Sequence, residues 1–142
     1  MNAKLSTMIQ QATDGWNRTL TNGRARVMVT LDTSSIARGA DETLEKLRAA
    51  VAAKGIDADV GITGSWGMSW MEPCVAVRSA AGTRTILYAN VTPDRVDEFV
   101  QAVLVDGADF AELAVGVVEG TATFDIPRLA DHPWMQGQTR RL

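Results

Sequence analysis

The chain has 142 residues, of which 46% are hydrophobic and 22% charged, with a formal net charge of −3. This is the profile of one globular domain, large enough to bury about two-thirds of its unfolded surface without a disulfide or a structural metal. One cysteine excludes an internal disulfide, no apolar run approaches the roughly 18 residues of a membrane span, and the scattered Lys and Arg form no basic stripe for nucleic acid.

Leu5, Met8, Ile9, Ala12 and Trp16 recur at helical spacing, so residues 1–22 are expected to form an amphipathic helix ending in a turn from Thr21 to Arg24. Val27, Val29 and Leu31 alternate with Met28 and Thr30 as a first strand. A second helix follows, with Ala40, Leu44, Leu47 and Val51 on one face and Gly55 placed for a left-handed cap. Val60 and Ile62 mark a second strand, and a strand–helix–strand unit of this length places its strands parallel. Val75 and Val77 lead through a turn at Ala81-Gly82-Thr83 into the return strand Thr85-Ile86-Leu87-Tyr88. Thr92-Pro93-Asp94 starts a third helix, whose apolar face is Val96, Phe99, Val100 and Val103 and whose end lies near Gly107. Phe124 to Leu142 carries Pro127, Pro133, Trp134 and Met135 with little periodicity and reads as an arm.

These elements predict an α/β fold with a mixed four-stranded sheet flanked by helices. Residues 1–22 form the leading helix and turn, 23–120 the domain, and 121–142 an extended C-terminal arm or linker.

No acid–base pair, phosphate-binding glycine loop or metal-ligand set is visible, so no residue is assigned as catalytic. His132, the only histidine, lies between Asp131 and Pro133 and reads as a surface or interface residue. Asp41, Glu42 and Asp94 suit helix N-termini. Cys74 reads as a small buried hydrophobe, and a lone thiol cannot run dithiol exchange. A single thiol with no secretory leader points to a reducing compartment, the cytoplasm. The sequence leaves the isomer at Pro73 open.

Two segments carry a family resemblance. Thr33-Ser34-Ser35-Ile36-Ala37-Arg38-Gly39-Ala40 resembles the stretch around the second cluster cysteine of the thioredoxin-like [2Fe–2S] ferredoxin domains in NADH-oxidising complexes. Gly64-Ser65-Trp66-Gly67-Met68-Ser69, followed by Glu72-Pro73, resembles the second cysteine pair of that family. The family's ligands come as Cys-x4-Cys and Cys-x3-Cys. Here Thr30 and Ser35, then Ser65 and Ser69, keep those spacings without sulfur. Within the family the chain is most similar to the clusterless N-terminal domain of the beta subunit of NAD-dependent, molybdenum- or tungsten-containing formate dehydrogenases. Asp131-His132-Pro133-Trp134-Met135 with Gln138-Thr139-Arg140-Arg141 resembles the segment leading into the flavin-binding domain of such subunits.

The resemblance implies a thioredoxin-like fold and a non-catalytic role in structure or assembly, with no cofactor in this chain. FMN, NAD and iron–sulfur clusters would reside in partner subunits or in a following domain. The alternative is a free-standing thioredoxin-like module that binds or regulates a protein. The Trp- and Met-rich loop admits two roles, filling the space a lost cluster leaves or docking a partner. Trp66, Trp70, Met71, Trp134 and Met135 are the candidate partner-binding residues.

Overall fold

The computed structural model describes residues 3–20 and 22–137. Thr21, part of the expected turn, and Gln138-Thr139-Arg140-Arg141 lie outside the described residues. In chain order the elements are α1 (Ala3–Leu20), β1 (Ala25–Thr30), a single turn α2 (Thr33–Ile36), α3 (Ala40–Ala53), β2 (Ala58–Thr63), β3 (Val75–Arg78), β4 (Thr85–Tyr88), α4 (Val96–Phe99), β5 (Ala114–Glu119) and α5 (Pro133–Gln136). A 3-10 turn, Pro93–Arg95, leads into α4, and a π-helical stretch, Val100–Val105, continues it.

The sheet has five strands rather than the expected four, in the order β2-β1-β3-β4-β5. β1 and β2 run parallel with Val27 opposite Val60, and the remaining pairings are antiparallel. The unanticipated strand, β5, is interrupted by Gly116, which weakens a strand signal. Its reason is spatial: a Cβ on Gly116 would stand 2.7 Å from Leu129 Cα, so only glycine lets the C-terminal arm pass this close.

Strand alternation sends side chains to two different layers. Val27, Val29, Val75, Val77, Ile86 and Tyr88 face the helices and join Leu44, Leu47, Val96, Phe99 and Val100 in the main core. Met28, Ala76 and Leu87 point the other way, where Met68 and Leu129 complete a second cluster. The arm runs along the edge of β5, where Val117 N–H donates to Pro127 O at 2.8 Å, with Ile126 buried in the main core and Leu129 in the second cluster, against which Trp134 and Met135 are half-buried.

α3 follows its apolar spacing, with Ala40, Leu44, Leu47 and Val51 buried and Gly55 left-handed at φ 61°. α1 is the helix its periodicity predicts, yet the described structure leaves its stripe largely uncovered. Leu5, Met8, Ile9 and Trp16 are about half exposed.

Candidate functional site

Two loops meet at the ends of β1, β2 and β3: residues 31–39, which contain α2, and residues 64–73. In the first, Asp32 caps α2. Its carboxylate accepts from Ser35 N–H at 2.9 Å, and its own N–H donates to Ser35 Oγ at 2.7 Å, the reciprocal pattern of a capping box. In the second loop, Glu72 precedes Pro73 through a cis peptide bond and is only 1% exposed. Ser34 Oγ lies 2.6 Å from Glu72 Oε2 and 3.0 Å from Asp32 Oδ1, so its one proton serves one carboxylate at a time. Ser65 Oγ lies 3.2 Å from Glu72 Oε1 and accepts from Gly67 N–H at 3.0 Å. Arg38 Nε donates to the Glu72 carbonyl at 2.6 Å. A buried carboxylate is tolerated when hydrogen-bonded in this way, and here the partners tie the two loops together.

The electrostatics follow from these contacts. The Ser35 backbone N–H holds the Asp32 carboxyl below its usual range; partial burial opposes this, and the hydroxyls of Ser34, Ser35 and Ser65 reinforce it. Burial pushes the Cys74 thiol up to about 12, with the charges of Glu72 and Asp32 adding to the effect and Arg38 opposing it. Cys74 is therefore a neutral, enclosed thiol near neutral pH.

The four hydroxyl positions have separate fates. Ser35 and Ser65 enter one network through Asp32, Ser34 and Glu72. Thr30 is fully buried at the end of β1; its N–H donates to Cys74 O at 2.9 Å, while its hydroxyl has no partner. Ser69 is exposed at the start of a 3-10 turn and takes no part in the network. Asp32, Ser34, Arg38 and Glu72 were not identified as site residues by sequence reasoning. The available signal was the Asp-x-x-Ser cap motif beside the resemblance, whereas a lone Glu in a loop reads as solvated.

This donor set does not fit an iron–sulfur cluster. It offers alcohols and carboxylates in place of thiolates, with a single cysteine in the chain. Among the described residues no group of three or more His, Cys, Asp or Glu side chains is gathered as a metal site requires.

The aromatic candidates converge on the second side of the sheet. Trp70 and Trp134 meet edge to face with centroids 5.4 Å apart and planes at 69°. Gly67 has φ 77°, a conformation that favours glycine, and a Cβ there would stand 3.1 Å from the Trp134 ring and press on it. Trp66, Met71, Trp134 and Met135 pack around Met68, Cys74 and Leu129. Met68 is 1% exposed, while Trp70 remains 50% exposed. His132 Nδ1 accepts from Trp134 N–H at 3.3 Å, which makes the imidazole the cap of α5.

No family model matches the chain, and no curated protein does. Solved structures of the thioredoxin-like [2Fe-2S] ferredoxin from Aquifex aeolicus do. One aligns with a TM-score of 0.59 at 20% identity, covering 71% of this chain and 98% of that chain. A second, of the wild type, gives 0.56 at 20% identity over 66% and 97%. A single cysteine-to-serine variant gives 0.56 at 21% identity over 65% and 98%. Likeness at this identity defines the fold, and the fold is thioredoxin-like α/β. The cluster named for that ferredoxin is a property of that protein.

Proposed function

We propose that this chain is a non-catalytic, clusterless ferredoxin-like domain or subunit with a structural or assembly role in an NADH-linked dehydrogenase complex, one that oxidises formate. FMN, NAD and the iron–sulfur clusters belong to its partner subunits or to a following domain, and the complex is cytoplasmic. What supports the reading is the hydroxyl–carboxylate network of Ser34, Ser65 and Glu72, which joins the two loops that carry degenerate ligand positions. A domain so held supplies shape without electron transfer. Trp66, Trp70, Met71, Trp134 and Met135 form its docking surface; Trp and Met are residue types enriched in the buried centres of protein interfaces.

Two measurements test this reading. Incubation of the purified chain with iron and sulfide leaves it colourless, and a brown product with cluster absorption overturns the clusterless assignment. Purified from its native cells through a tag, the chain brings down a flavin-containing dehydrogenase. Recovery without any flavoprotein overturns the assembly role in favour of a free-standing binding module.

A further inference from the structure

A groove of about 380 Å³ lies on the second side of the sheet, between α1 and the strands. This is within the ordinary range for small-molecule sites. Its apolar lining comes from Trp16 of α1, Trp66 of the loop, and Met28, Ala76 and Val118 of the sheet. Its charged lining is Arg26, Arg78 and Glu119, with the hydroxyls of Thr63 and Thr85 beside them.

The polar groups are out of balance. Arg78 gives one terminal nitrogen to Glu119 at 2.7 Å and the other to Gly82 O at 2.8 Å, but its Nε has no acceptor. The Trp66 indole N–H is likewise buried without one. Arg26 stands 5.7 Å from the Trp16 ring centroid and, among the described residues, has no carboxylate partner. On the acceptor side, Glu119 is already shared by Arg78 and the Thr85 hydroxyl. Two guanidiniums against one carboxylate leave one positive charge, between indole walls that want a flat apolar body.

We propose that this groove binds a small planar aromatic carboxylate. Its single negative charge pairs with Arg26, and its ring lies against Trp16 and Trp66. A phosphate would bring a second charge that the groove does not match. The proposal does not rest on the assembly reading.

The test uses the isotope-labelled full chain and follows the indole N–H resonances of its four tryptophans during titration with naphthoate, and separately with the uncharged naphthylmethanol. The expected result is a saturable, one-to-one shift concentrated at Trp16 and Trp66, with Trp70 and Trp134 unmoved and the alcohol about tenfold weaker. Arg26→Gln weakens naphthoate about tenfold and leaves the alcohol unchanged. Should that variant not fold, Trp16→Ala, at a half-exposed position, weakens both probes by roughly fivefold. A shift that never saturates, one spread over all four indoles, or equal affinity for acid and alcohol in the unaltered chain overturns the proposal. So does a folded variant that binds as the unaltered chain does.

Discussion

Ser34 and Glu72 stand 38 positions apart in sequence and 2.6 Å apart in space, a hydroxyl against a carboxylate that is almost wholly withdrawn from water. With Ser65 on the other carboxylate oxygen, this pair fastens the loop after β1 to the loop before β3. Removal of either partner strands a buried polar group, and that cost exceeds the modest net value of an intact hydrogen bond.

Ser34→Ala therefore destabilises the fold by about 1–3 kcal/mol, whereas Ser69→Ala, at an exposed position outside the network, stays within about 0.5 kcal/mol. Urea unfolding midpoints measure both. Equal, negligible effects would show that the network holds nothing.

Thr30 presents the opposite case, a fully buried hydroxyl with no partner at all. Thr30→Val keeps the shape and removes the unpaired group, so stability is expected to rise by about 1 kcal/mol. A loss of similar size in thermal or chemical unfolding would mean that the Thr30 hydroxyl is hydrogen-bonded in the folded chain.

Gly67→Ala meets two obstacles, a left-handed backbone and the Trp134 ring 3.1 Å from the new Cβ. The expected cost is roughly 1–2 kcal/mol from the backbone alone, together with displacement of Trp134 from Trp70. Quencher access to tryptophan rises in this variant if the ring moves, and unchanged access with unchanged stability rules the contact out.

The Asp32 carboxyl titrates lower in the fold than in the unfolded chain. Its stabilising contribution is thus fully present above the ordinary carboxylate range, near pH 4, and disappears as the pH falls through the lower folded value. Asp32→Asn is expected to be less stable than the unaltered chain at neutral pH and to show a shallower loss on acidification. Parallel acid-unfolding curves for the two would contradict this.

For Cys74 the sign reverses. With the thiol pushed up to about 12, burial favours the neutral form, so its contribution is complete below the ordinary thiol range and falls as the pH rises beyond it. Iodoacetamide at mildly alkaline pH should react with native chain about a thousandfold more slowly than with chain unfolded in urea. Comparable rates would place the thiol at the surface.

The legible parts of this molecule were those where one local rule decides. Leu44, Leu47 and Val51 mark the buried face of α3 by spacing alone, and Pro93 marks the entry to the helix that follows. β5 escaped because its glycine answers to Leu129, a neighbour that only the folded chain brings near. Glu72 escaped for a related reason. Nothing local distinguishes a carboxylate destined for the interior from one in water, and its burial depends on hydroxyls delivered by a loop far away in sequence. α1 shows the converse, since a clear apolar stripe at Leu5, Met8, Ile9 and Trp16 specifies a helix without specifying a cover.

A junction made of alcohols around a carboxylate has no valence to change. Chelators and reductants that would unfasten an iron-bridged pair of loops find nothing to grip between Ser34 and Glu72, so the clasp stays shut whatever the redox state of its surroundings.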